Sequence, residues 1–135
     1  MLRELDDQAL LPGLARQELR GWMGDHWAVG DLQVIASELV TNAMVYGGGA
    51  WVRMSLRPEE QGGRRYWRLT VVDPGRSGTV PMPRMPGVGE MTGRGLWIVD
   101  ALTSGSWATS LTQAGERAVW ARLPFEAPME GGRER

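Results

Sequence analysis

The chain has 135 residues, 42% of them hydrophobic and 23% charged, with a formal net charge of −1. This composition suits one compact domain with a real core, and the balanced charge argues against a broad basic face for nucleic acid. The absence of Cys excludes disulfides and thiolate metal sites, and no apolar run approaches the ~18 residues of a membrane helix. The acidic start also lacks the basic and then apolar order of a signal peptide, so we expect a cytoplasmic protein.

The first part of the chain predicts two helices. Apolar residues recur on one stripe of the segment LPGLARQELRGWMG: Leu11, Ala15, Leu19 and Trp22. A second helix is expected to begin after an N-cap at Asp31 and to run to Tyr46. The glycine run Gly47–Gly49 then ends it.

The rest of the chain predicts strands around one long loop. Alternating apolar and polar residues indicate a strand in AWVRMSLR, and a second strand follows the PEEQGG turn in RRYWRLTVVD. After a Gly- and Pro-rich loop come a short helix in LWIVDAL and a hairpin of SWATSL and ERAVWARL. We therefore expect an α/β two-layer sandwich with a mixed, mostly antiparallel sheet and helices on one face. It would form a single domain over 1–124, followed by a flexible tail over 125–135.

Two polar residues, Glu38 and Asn42, lie one turn apart inside the apolar sector of the second predicted helix. Buried polar groups destabilise a fold unless a partner compensates them. One interpretation is a boundary pair bonded to backbone. The other is a carboxylate base beside an oxygen ligand for a hard cation such as Mg²⁺.

Two further segments are candidate site elements. Asp73 ends a strand before Pro74 and Gly75, so it is either a turn residue or an acceptor that faces a pocket. The segment GRGL, Gly93–Leu96, opens a helix, where backbone N–H groups can approach a phosphate. The single His26 offers neither a zinc site nor a supported catalytic triad.

The order of these motifs resembles the GHKL ATPase domain, the family of gyrases and histidine kinases that uses the Bergerat ATP-binding fold. The matching motifs are Glu38-x-x-x-Asn42, Asp73-Pro-Gly75 and Gly93-x-Gly95-Leu96. The segments ELVTNA and GRGLWIVDAL look closest to the stand-alone anti-sigma-factor serine kinases. The resemblance covers about Leu14 to Leu123.

The resemblance implies ATP and Mg²⁺ as ligands. Glu38 would be the catalytic carboxylate, and Asn42 would be the Mg²⁺ ligand. Asp73 would accept a hydrogen bond from the adenine amino group, and Gly75 would let the chain pass close to the base. Other implied nucleotide contacts lie at a helix end and a helix start: Tyr46, Gly93, Arg94, Gly95 and Leu96.

The resemblance also implies an ATP lid over Thr79 to Thr92. The second box departs from the family pattern, because Gly78 stands one place late. Ala118 stands in the region where many relatives have a Thr near the adenine. Since the chain has no Lys, an Arg must supply any cation in the lid.

By this resemblance, the protein is a serine/threonine protein kinase that holds a sigma factor and phosphorylates a small antagonist protein. Its relatives are homodimers, and no direct contact with nucleic acid or a membrane is expected. The main alternative is a regulatory interaction module of the same fold that is non-catalytic or binds nucleotide weakly. A further alternative is a detached histidine-kinase catalytic domain.

Overall fold

The computed structural model describes residues 2–5, 11–46, 51–75 and 91–127. The elements follow in this order: β1 (Leu2–Leu5), α1 (Leu11–Met23), α2 (Val29–Tyr46), β2 (Val52–Gln61), β3 (Arg64–Asp73), α3 (Met91–Thr103), β4 (Trp107–Leu111) and β5 (Arg117–Pro124). The strands form one sheet in the order β1-β2-β3-β5-β4. The predicted α/β class is confirmed, but every pairing among these strands is antiparallel, where a mixed sheet was expected.

The core lies between one face of the sheet and the helices. Alternate residues of three strands are buried on this face: Val52, Met54, Leu56, Trp67, Leu69, Val71, Val119, Ala121 and Leu123. Helix α2 packs against β2, β3 and β5, while α3 packs against β4 and β5. Each fully buried aliphatic side chain stabilises the fold by roughly 1.5–3 kcal/mol. None of the described helices has the length and apolarity needed to cross a bilayer.

Helix α1 follows its predicted stripe. Three stripe residues are fully buried: Leu11, Ala15 and Leu19. Trp22 is partly buried against the same core. The helix ends at Met23, and the next residue, Gly24, has φ +59° and donates its N–H to the Arg20 carbonyl at 2.9 Å. Glycine suits this left-handed position because it has no Cβ.

Helix α2 ends where predicted but begins at Val29, so the expected N-cap at Asp31 is wrong. The Ala28 carbonyl accepts the first helical hydrogen bond, from the Leu32 N–H at 2.9 Å. The Ala28 N–H in turn donates to His26 Nδ1 at 3.1 Å. A histidine therefore satisfies an amide at this helix start, and Asp31 lies in the first turn, where its charge favours the helix dipole.

The β2–β3 hairpin is longer than predicted. The expected PEEQGG turn is mostly strand, because β2 continues to Gln61. Only Gly62 and Gly63 form the turn, with φ +61° and +79°, as a tight two-residue hairpin requires. The strand tolerates Pro58 because β1 pairs with β2 only as far as Ser55, which leaves that edge open in the described part of the chain.

Strand β1 lies outside the sequence predictions. It pairs with β2 in the register Leu5 to Val52, and its four residues are too short to show a period. Helix α3 was predicted, but it begins at Met91, two residues before the GRGL segment that was expected to open it. Most of the predicted lid, residues 79–90, lies outside the described residues.

The predicted tail begins at a residue that packs on the domain. The Phe125 N–H donates to the Arg65 carbonyl at 2.9 Å, and the Phe125 ring stacks on Trp67 with centroids 4.8 Å apart. Trp27 Nε1 donates to the Phe125 carbonyl at 3.0 Å. These contacts tie residue 125 to β3 and to the loop before α2. Residues 128–135 lie outside the described residues.

Candidate functional site

The direction of α2 places its polar residues relative to the sheet. Trp67 Nε1, near the start of β3, lies 3.1 Å from His26 Nε2, just before α2. Helix α2 packs against β3 and extends about 27 Å, which covers most of the length of that strand, about 34 Å. We infer that Glu38 and Asn42, in the second half of α2, lie toward the end of β3 that carries Asp73.

Glu38 and Gly95 mark the contact between α2 and α3. A Cβ atom on Gly95 would lie 2.5 Å from Glu38 Oε1 and 3.5 Å from Glu38 Cβ. Because the glycine has no side chain, the Glu38 carboxylate sits directly against the backbone of α3. The structure therefore brings together two residues that were predicted for one site from separate motifs.

Asn42 is buried, with 2% of its surface exposed. Neither Oδ1 nor Nδ2 has a hydrogen-bond partner among the described residues. The interpretation of Asn42 as a boundary residue bonded to backbone thus has no support there. An unpaired buried amide destabilises a fold by about 1–3 kcal/mol, so a ligand that pairs with Asn42 would offset this cost.

Asp73 is buried at the end of β3, where both of its carboxylate oxygens have partners. Oδ2 accepts hydrogen bonds from Arg117 Nε at 3.2 Å and from an Arg117 terminal nitrogen at 3.0 Å. Oδ1 accepts from the Gly75 N–H at 2.8 Å. Asp73 therefore closes the turn to Gly75, and it also forms a buried ion pair with Arg117 of β5. Neither sequence interpretation of Asp73 included this ion pair.

Gly75 approaches the backbone of the β4–β5 connection. Its φ is +74°, and a Cβ atom would lie 2.5 Å from the Gly115 carbonyl oxygen and 3.1 Å from the Arg117 nitrogen. Backbone atoms cannot rotate away as a side chain can, so only glycine fits. The close approach in the structure is to the chain leading into β5, whereas the approach of Gly75 to a nucleotide base, which the resemblance implies, stays a prediction.

The other predicted site residues lie at the ends of α2 and α3. Tyr46 is the last residue of α2, and Gly93 and Arg94 belong to the first turn of α3. The N–H groups of the first three helical residues, Met91 to Gly93, make no hydrogen bond within α3. Leu96 lies deeper in the helix with a fully buried side chain, so it contributes to the core.

Arg117 is the residue that the sequence predictions missed. It is 1% exposed, and it lies across from Asp73 in the β3–β5 register. The available signal was its alternation with Val119 and Ala121, which put an arginine on the inward face of a strand. A charge at such a position requires a buried partner of opposite charge.

The donor set around Asn42 suits a hard cation and phosphate oxygens. A carboxamide oxygen and a carboxylate are the oxygen donors that Mg²⁺ accepts, and this ion usually keeps waters and phosphate oxygens as further ligands. Among the described residues there is no cluster of three or more His, Asp or Glu side chains that could hold a metal by themselves. Asn42 therefore fits a metal that arrives with a phosphate ligand, with the Glu38 carboxylate one helical turn away as a base.

The chain was also compared with known proteins. It matches no protein-family model, and no curated protein has a matching sequence.

Proposed function

We propose that this chain is an ATP- and Mg²⁺-binding serine/threonine protein kinase of the anti-sigma-factor type. The observation that carries the proposal is Asn42, a buried amide without a partner among the described residues, one turn from Glu38. Glu38 in turn lies against Gly95 in α3. These three residues were predicted from the order of motifs. Asn42 would supply an oxygen ligand, Glu38 a carboxylate, and Gly95 a close approach of the backbone.

Each residue has a defined task in this proposal. Asn42 Oδ1 holds the cation, and the first amides of α3, up to Gly93, face the phosphate oxygens. Bound Mg²⁺ supplies neutralisation of the phosphate charge, which together with positioning provides most of the catalysis in phosphoryl transfer. The Glu38 carboxylate accepts the proton of the substrate hydroxyl, so that the hydroxyl oxygen becomes the nucleophile.

The proposed partners follow from the resemblance. They are a sigma factor, which the domain holds, and a small antagonist protein whose Ser or Thr receives the phosphoryl group. A homodimer is part of the same proposal. Nucleic acid and membranes are not expected to contact the domain directly.

One observation favours the second candidate, a regulatory interaction module that binds nucleotide weakly or not at all. Asp73, the residue expected to recognise adenine, is engaged by Arg117 through two hydrogen bonds. A carboxylate that is already paired with a guanidinium attracts the amino group of adenine less strongly. In that case the domain would act by contact with its partners alone.

The deciding experiment is a pull-down from the native cell followed by phosphotransfer with labelled ATP. Wild-type protein should transfer label to a copurified partner, and Glu38→Gln should lower the transfer about 10²–10⁴-fold, the usual contribution of a general base. Glu38→Gln should still bind MgATP, whereas Asn42→Ala should lose the Mg²⁺-dependent part of binding.

Thr41→Ala is the matched control on α2. Thr41 is adjacent to Asn42, but its hydroxyl donates to the Ser37 carbonyl at 2.8 Å within the helix. This variant should bind nucleotide and transfer label like the wild type. If the wild type labels no copurified partner, or if Glu38→Gln retains full transfer, the kinase proposal fails and the interaction module replaces it.

A further inference from the structure

The Asp73–Arg117 pair is the most completely buried ion pair in the described part of the chain. The Asp73 and Arg117 side chains are 3% and 1% exposed, whereas the other described pairs have side chains at least 25% exposed. A buried pair of this kind is costly to separate, since each charge would lose its partner in a medium with little water. Arg117 is therefore a permanent neighbour of the Asp73 carboxylate.

The acceptor positions of Asp73 are largely filled. A carboxylate has about four lone-pair sites. Arg117 takes two of them on Oδ2, and the Gly75 N–H takes one on Oδ1. Among the contacts of the described residues, one position on Oδ1 stays open to a ligand that donates a hydrogen bond to Asp73.

For the choice between adenine and guanine, the net charge of the Asp73–Arg117 pair matters more than the number of open acceptor positions on Asp73. An unpaired carboxylate attracts the amino group at C6 of adenine and repels the carbonyl oxygen at C6 of guanine. A guanidinium bound to that carboxylate cancels most of its field, and so it weakens both effects. The pair as a whole then discriminates little between an amino group and a carbonyl.

We infer that Arg117 is a specificity-determining residue, which lowers the preference of the site for adenine over guanine by neutralising Asp73. This inference rests on the proposed nucleotide site. It adds to that proposal that the chain accepts nucleoside triphosphates with relaxed base selectivity.

The test measures the Kd of ATP and of GTP by calorimetry with Mg²⁺, for the wild type and for two variants. The ratio of the GTP Kd to the ATP Kd should lie within about 10-fold of 1 in the wild type. Arg117→Gln should raise that ratio at least about 10-fold, the scale of a hydrogen bond to a charged group. Arg117→Lys keeps the positive charge at similar length and should leave the ratio close to that of the wild type.

The ratio is insensitive to partial unfolding of the variants. Each apparent Kd rises as the folded fraction falls, and the same factor applies to both nucleotides, so it cancels. Arg53→Gln is the matched control. Arg53 pairs at 3.2 Å with Glu116, the residue before Arg117, but both side chains of this pair are partly exposed. Its ratio should equal that of the wild type.

The outcomes separate this inference from the proposed function. If the wild type prefers ATP more than about 100-fold, or if Arg117→Gln leaves the ratio unchanged, Arg117 does not set selectivity, although the nucleotide site stands. If the wild type binds neither nucleotide, the inference and the kinase proposal both fall, even where Arg117→Gln binds ATP. If no variant binds either nucleotide, both fall.

Discussion

Glu38 and Gly95 meet where α2 packs against α3, and Glu38 Oε1 lies 2.5 Å from the position that a Cβ atom would take on Gly95. The neighbouring contacts are looser, since the Glu38 Cβ and Cδ atoms are 3.5 Å from that position. An added methyl group would thus collide only with the far end of a flexible side chain. The backbone of the two helices could stay in place while the carboxylate moves.

Gly95→Ala should therefore displace the Glu38 carboxylate without unfolding the domain. Alanine favours a helix interior over glycine by about 1 kcal/mol, which offsets the local adjustment, so the unfolding free energy should change little. Phosphotransfer should fall strongly, because a general base must lie within hydrogen-bond reach of its proton. The measurements are urea unfolding and transfer of labelled phosphate.

Gly21→Ala is the control for helix propensity. No atom lies within 4 Å of its added Cβ, and Gly21 is in α1, away from the α2–α3 contact. It should keep full activity with equal or slightly greater stability. If Gly95→Ala also keeps full activity, the position of Glu38 does not matter for catalysis.

Replacing Asn42 with an apolar residue should abolish Mg²⁺-dependent ATP binding without lowering the stability of the fold. Asn42→Leu removes an amide that has no partner among the described residues and substitutes an apolar side chain of similar size. Without nucleotide, the unfolding free energy should stay equal or rise by about 1–2 kcal/mol, because the desolvation cost of the amide is gone. Mg²⁺-dependent binding of ATP should be lost.

Denaturant unfolding and calorimetry on the same samples check this prediction. Asn42→Asp is a useful companion, because it keeps an oxygen ligand and should retain part of the Mg²⁺ dependence. A loss of more than about 1 kcal/mol in Asn42→Leu would mean that Asn42 has a structural partner, and its assignment as a metal ligand would be withdrawn.

Most of the secondary structure could be predicted because burial imposes a period. Leu11, Ala15 and Leu19 repeat with the helical period, and all three are fully buried. The prediction was weaker where pairing with a distant segment decides the outcome. Pro58 suggested a turn, yet the ladder with β3 carries β2 past it to Gln61, because its outer edge is open there.

The site residues divide in the same way. Glu38 and Asn42 could be found because they interrupt an apolar sector of one helix, which is a local pattern. Arg117 was missed because its burial depends on Asp73, 44 positions earlier in the chain. Arginine is usually solvated, so the alternation of Arg117 with Val119 and Ala121 was a weak local sign of an inward position, and the strand register is needed to identify its partner.

Phe125 should contribute to stability although it lies beyond the last strand. Its ring stacks on Trp67 and meets His26 edge-on, with centroids 4.8 Å and 5.0 Å apart. Phe125→Ala should lower the unfolding free energy by about 1–3 kcal/mol, below the usual value for a fully buried Phe because this ring is only half-buried. Thermal unfolding measures the loss.

Glu126→Ala is the neighbouring control. Glu126 pairs with Arg65 at 2.6 Å, but their side chains are 71% and 54% exposed, so the change should stay within about 0.5 kcal/mol. Equal and small effects for both variants would place the stable domain boundary at Pro124.

The buried pair should dominate the electrostatic contribution to stability. Asp73→Asn removes the negative charge that faces the Arg117 guanidinium, while its side-chain oxygen can still accept from the Gly75 N–H. Breaking a buried ion pair by removing one charge typically lowers the unfolding free energy by about 3–5 kcal/mol.

Glu116→Gln, which removes the partner of Arg53 from a partly exposed pair, should lower the unfolding free energy by at most about 1 kcal/mol. Urea unfolding of both variants should thus give midpoints that differ clearly. Similar losses of unfolding free energy in the two variants would show that burial does not strengthen the Asp73–Arg117 pair. Arg117 would then not be a fixed partner that neutralises Asp73.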